Sequence, residues 1–161
     1  SQRSISFSSD GNSVESYDVY KVRGDKNGTG LFEFMAANTT VEWSQAKTGI
    51  VGDKGLNFLT TSHYEGKEHG INRLYSGQLY AGYTIREQNH IHPDNTPYPS
   101  GSFNHPQYGK AGEWGDVGAS AWVVGDRQKR GLSNPTFRIY LPRSKSYINY
   151  VPNSIRSDYG K

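Results

Sequence analysis

The chain has 161 residues, 33% of them hydrophobic and 13% aromatic, with 19 glycines, 7 prolines and no cysteine. That length suits one hydrophobic core, and the absence of cysteine excludes disulfides and thiolate metal sites, leaving His, Asp, Glu or water as metal donors. The 18 Lys and Arg outnumber the 15 Asp and Glu by a formal +3, but the basic residues are spread out and predict no nucleic-acid face; no apolar run reaches the roughly 18 residues of a membrane span.

Residues 1–16 are rich in serine and read as a flexible or edge segment. Tyr17 to Val22 alternate apolar and polar residues, as in a strand. The turn signal Gly24-Asp25-Lys26-Asn27-Gly28 and the apolar pattern from Leu31 to Met35 predict a hairpin over about 17–35. Val41-Glu42-Trp43 opens the next strand, Gly52-Asp53-Lys54-Gly55 breaks it, and Leu56 to Thr61 is its partner. The polar stretch 62–78 predicts a loop or short helix. Tyr80 to His92 reads as a strand that runs directly into two histidines.

Prolines at 93, 97, 99 and 106 make Pro93 to Lys110 a loop. Asp116 to Val124 predicts a short helix with Asp116 near its N-cap and Gly125 ending it. Thr136 to Leu141 and Tyr147 to Val151 are the last strands. The expectation is a single α+β (mixed α/β) domain over 1–161, with a curved mixed sheet and few helices. The chain starts at Ser1 without a signal-peptide pattern, which reads as a fragment of a longer protein.

The segment that carries chemistry is Asn89-His90-Ile91-His92-Pro93. In a strand, His90 and His92 project from one face, about 7 Å apart at the backbone, and Ile91 points into a core on the other. Two imidazoles so placed can converge on one ion. A hydrolytic zinc site needs three protein ligands and an open position. Asp116, at a helix start after the loop, is the attractive third donor; Asp94 and His105 are its rivals. A carboxylate near the ion can take a proton from water. Glu42 between Val41 and Trp43, and Glu33 between Phe32 and Phe34, both have the apolar neighbourhood for it. Trp43, Trp114 and Trp122 read as core or pocket wall, Trp114 as a groove residue; His63 and His69 read as surface residues.

The order Glu42, His90-Ile91-His92-Pro93, Pro99-Ser100, Asp116 resembles the JAMM (JAB, MPN) metalloprotease pattern, over about residues 31–152. The stretch Val41-Glu42-Trp43-Ser44 with His-Ile-His-Pro is most similar to the JAB-like toxin branch, found at the ends of bacterial polymorphic toxins of the Rhs type. The resemblance implies a cytidine-deaminase-like fold and a Zn2+ ion on His90, His92 and Asp116. It implies Glu42 as the residue that activates water and Ser100 as an oxyanion donor. The implied reaction is hydrolysis of peptide or isopeptide bonds in a protein substrate, by a secreted or delivered effector with a cognate immunity protein as partner. Ser100 lies 16 residues before Asp116, where the family has a spacing of three. Residues 101–112 are therefore read as a loop insertion, with Ser102 or a backbone N–H as substitute donors. Two other readings are a metal-dependent nuclease toxin, using the histidines with Asn89 and Asn104, and a non-catalytic binding or delivery module.

Overall fold

The computed structural model describes residues 1–7 and 14–160; residues 8–13 of the N-terminal segment lie outside that description. Among the described residues, seven strands form one mixed sheet: β1 (Gln2–Phe7), β2 (Glu15–Arg23), β3 (Ser44–Thr48), β4 (Leu56–Thr61), β5 (Ile85–Ile91), β6 (Thr136–Leu141) and β7 (Ser146–Tyr150). Their spatial order is β1-β2-β4-β3-β5-β6-β7. Every neighbouring pair is antiparallel except β5 and β6, which run parallel. A parallel pair needs a crossover, and the long loop plus α3 (Gly115–Lys129) supply it. The other helices are α1 (Asp25–Asn38) and α2 (Gly70–Gly77). The α+β expectation with a mixed sheet is borne out.

Alternation along the strands builds a core on each face of the sheet. Phe58, Ile139, Phe137 and Val123 pack on the α2/α3 side. Leu59, Tyr140, Ile91 and Phe32 pack on the α1 side. The sheet is thus covered on both faces. Gln2–Phe7 is the edge strand beside β2. Among the described residues, no helix is long and apolar enough to cross a membrane.

Four local expectations are corrected. The hairpin over 17–35 is a strand followed by a helix: after β2 the chain turns at Gly24 and coils from Asp25 to Asn38. Gly28, Phe32 and Ala36 recur every four residues and are the ones buried, a helical stripe that outweighs the strand reading of the apolar pattern at Leu31 to Met35. Asp25 anchors the helix start by a bidentate pair with Arg86 and by accepting the Gly52 N–H. The strand placed at Val41 begins at Ser44, which leaves Glu42 in the lead-in. The strand placed at 80–92 splits into a 3-10 turn (Leu79–Ala81) and β5, because Gly82 takes a left-handed conformation between them. The last helix does not end at Gly125 but continues to Lys129: Gly125 is tolerated inside a helix that is already packed through Val117, Ser120 and Val123.

Candidate metal centre

His90 is near the carboxyl end of β5 and His92 just past it. His92 stays in register because Ile91 N–H donates to Trp43 O at 2.9 Å and His92 N–H to Tyr140 O at 3.1 Å. Ile91 is buried in the α1-side core, as the alternation demanded. Both imidazoles therefore emerge on the α3 side, where the chain leaves for the crossover. Because β3 runs antiparallel to β5, its first residue, Ser44, pairs with His90. Glu42, two residues earlier, is thereby carried to the same end of the sheet. One open cleft of about 1260 Å³ contains Glu42, His90, His92, Ser100 and Asp116 together.

Asp116 is the second residue of α3. Its carboxylate is favoured there by the helix dipole and accepts the Ser100 N–H at 2.8 Å. In return Ser100 Oγ accepts the Asp116 N–H at 2.9 Å. The 16-residue separation is closed by a looped excursion whose ends meet: Gly112 N–H donates to Gly101 O at 2.8 Å. Two glycines make this crossing. Gly101 and Gly115 have φ of +78° and +61°. A Cβ on Gly101 would lie 1.8 Å from Trp114 O, and one on Gly115 would lie 2.4 Å from Ser100 Oγ. Only a bare backbone lets the two strands of the loop touch.

The donor atoms converge. His90 Nε2 lies 3.1 Å from His92 Nε2 and 3.1 Å from Asp116 Oδ1, and His92 Nε2 lies 3.2 Å from Asp116 Oδ2. Ligands about 2.0–2.1 Å from a tetrahedral ion stand about 3.3 Å apart, so the three side chains are spaced to hold a metal ion. The tautomer agrees. His92 Nδ1 is 2.9 Å from the Thr96 carbonyl, which only accepts, so Nδ1 carries a proton and Nε2 is the nitrogen left to face the triad. With Nδ1 so committed, Nε2 faces the Asp116 carboxylate at 3.2 Å, where either a proton or a metal ion satisfies both.

The electrostatics of the protein alone express the same demand. Burial opposes charge on His92, but the hydrogen bond and charge of Asp116, the Thr96 carbonyl and Glu42 outweigh it and raise its pKa to about 9. Burial pushes Asp116 up, yet the charges and hydrogen bonds of His90 and His92 hold it well below the usual carboxylate range. Glu42 goes the other way. Burial chiefly, then Asp116, Glu68 and Asp94 against the opposing pull of His92, raise it to about 8. A carboxyl whose pKa lies near neutrality can both accept and return a proton.

The rival residues are outside the converging triad. Asp94 is exposed and closes a turn by accepting from Thr96 N–H and Thr96 Oγ1 at 3.0 and 2.8 Å. His105 accepts the Gln107 N–H and stacks on Tyr108 in the excursion. Glu33 is on the α1 side, bound by the Tyr147 hydroxyl at 2.9 Å. Ser102 Oγ donates to Pro99 O at 2.6 Å and is buried away from the cleft. His63 pairs with Asp18 at the surface, while His69 reaches the cleft rim. Trp43 is buried, Trp114 lines the cleft, and Trp122 is half exposed against Tyr75 rather than core. Sequence reasoning missed Thr96, whose carbonyl sets the His92 tautomer, and Tyr150, whose ring stands edge-on to His90 at 5.8 Å. No local pattern marks either.

A mixed sheet with paired histidines at the end of one strand and a carboxylate at the start of the next helix defines a JAB-like domain with a candidate metal centre. The chain belongs to the JAB-like toxin 1 family, whose model matches residues 20–121. It is thus a toxin domain by family. No curated protein matches the chain, and no solved structure does.

Proposed function

We propose that this domain is a zinc-dependent hydrolase of peptide or isopeptide bonds, acting as the toxic end of a delivered bacterial protein of the Rhs type. The observation that carries the reading is the convergence of His90 Nε2, His92 Nε2 and the Asp116 carboxylate in the same cleft as the half-buried Glu42. Nitrogen and carboxylate donors in a three-ligand set suit Zn2+. Such an ion supplies Lewis acidity, polarising a carbonyl oxygen and acidifying water.

The protein's own groups supply the rest. Glu42 takes a proton from the attacking water and delivers it to the nitrogen that leaves as the amide C–N bond breaks. Ser100 Oγ already accepts from the Asp116 N–H, so its own proton is directed elsewhere, and it donates to the oxygen that gains charge. The Thr96 carbonyl and Asp116 orient His92. The substrate is a protein of a host or competitor, and a cognate immunity protein would block the cleft. The cleft itself opposes the nuclease alternative: Glu42, Glu65, Glu68, Asp94 and Asp116 line it against Lys67, with no arginine. A polyanionic backbone needs the opposite charge.

Metal analysis and toxicity decide the matter. The purified chain should hold one zinc; His92→Ala should lose it. Glu42→Gln should keep zinc and lose both hydrolysis and growth arrest on expression. A parent chain that holds no divalent ion, or a Glu42→Gln variant as toxic as the parent, refutes the proposal.

A further inference from the structure

The floor of the cleft contains two polar groups that neither the fold nor the metal centre uses. Ser44 is 1% exposed and Gln88 8% exposed. Among the described residues, Ser44 Oγ and Gln88 Nε2 have no hydrogen-bond partner, a condition that buried polar groups rarely tolerate. Both line the same cleft as the metal triad. Ser44 pairs with His90 across β3 and β5, and Gln88 precedes His90 by two residues on β5. All three side chains therefore share the α3 side of the sheet. Phe137 and Tyr150 close the floor around them.

Resting on the hydrolase reading, we infer that Ser44 and Gln88 form a substrate subsite beside His90 that takes a neutral carboxamide. The Gln88 amide nitrogen offers a donor, and the Ser44 hydroxyl offers a donor or an acceptor. A carbonyl oxygen with its attached N–H satisfies both. A carboxylate would sit in a cleft that already carries Glu42, Glu68 and Asp116, and no arginine is there to compensate it. An aliphatic group would leave both polar atoms unpaired, which is the strongest form of rejection that a binding site has. Paired residues across an antiparallel ladder stand about 4.5–5.5 Å apart, and residues two apart on a strand about 7 Å. A carboxamide one or two carbons from the bond being cleaved spans that gap. The subsite thus reads either an Asn or Gln side chain or the peptide unit next to the scissile bond.

Hydroxamates that chelate zinc provide the probe. On the zinc-loaded full chain, acetohydroxamate measures the metal centre alone. Asparagine hydroxamate and N-acetylglycine hydroxamate add a side-chain or a backbone carboxamide, and leucine hydroxamate adds an isosteric apolar group. At least one carboxamide probe should bind about tenfold tighter than the leucine probe, and which one does identifies the source. Ser44→Ala with Gln88→Met should erase that preference and leave acetohydroxamate affinity unchanged. In the metal-free chain the same double variant should match or exceed the parent in Tm, because it removes unpaired groups. Equal binding of all side groups, a preference that survives in the variant, or a Tm lowered by several degrees overturns the subsite. Failure of acetohydroxamate to bind the parent overturns the metal reading and takes the subsite with it.

Discussion

Zinc binding should expel close to two protons at pH 7. In the metal-free chain His92 is held protonated by Asp116, with a pKa of about 9. Its Nε2 must shed that proton to become a donor. At pH 7, two units below, the proton outcompetes the free lone pair by about 100 to 1, worth roughly 2.7 kcal/mol. Glu42, raised to about 8 mainly by burial, is protonated by about 10 to 1 at the same pH. A dication in the triad favours its ionised form and expels the second proton. The apparent affinity should rise nearly 100-fold per pH unit below pH 7, about tenfold per unit between pH 8 and 9, and level off above 9. Glu42→Gln should reduce the first slope to tenfold. Calorimetric titration in two buffers of different ionisation enthalpy counts the protons directly. Release of less than half a proton at pH 7, or an affinity constant from pH 6.5 to 8.5, refutes the electrostatic account of the triad.

Three further outcomes follow from the same geometry. His92 and Glu42 both bind protons more tightly folded than unfolded, so they stabilise the metal-free chain at low pH. That contribution is lost as pH rises, between about 4.5 and 8 for Glu42 and between 6.5 and 9 for His92. Asp116, lowered, adds stability above its ordinary 3.8 that is lost on acidification. Thermal melts of the metal-free chain should therefore show Tm falling from pH 5 to pH 9, and zinc should abolish the fall; a rising Tm sinks the assignment. Ser100→Ala should cost about 1 kcal/mol by orphaning the Asp116 N–H and lower kcat about 100-fold, while zinc affinity changes little because the Ser100 N–H still holds Asp116. Unchanged kcat in that variant removes Ser100 from the oxyanion role. Gly115→Ala puts a Cβ 2.4 Å from Ser100 Oγ at a φ of +61°, so it should weaken zinc binding more than tenfold in a chelator competition. Parental affinity there would mean that the loop crossing does not position Asp116.

Glu42 and Glu33 show where local reading stops. Both have aromatic or aliphatic neighbours in the chain. They differ because the antiparallel pairing of β3 with β5 carries Glu42 to the end of β5, whereas Glu33 rides on a helix that packs against the opposite face. No window of sequence contains that information. The same holds for Ser100 and Asp116, whose contact depends on two glycines 14 residues apart that let the excursion close.

What the chain determines by itself is what the backbone repeats locally. The two-residue period of a strand sends His90 and His92 to one side and Ile91 to the other, and four prolines keep residues 93–110 out of regular structure. The burial period of four in 25–38 was also present in the residues, but a Gly-rich start masked it as a turn. Only the tertiary structure brings a carboxylate 24 residues away within 3.2 Å of His92. It also leaves Ser44 Oγ and Gln88 Nε2 without a partner among the described residues, in the same cleft. Convergence of distant donors depends on strand order and crossover, and those are settled by burial of both sheet faces together, not by any one segment.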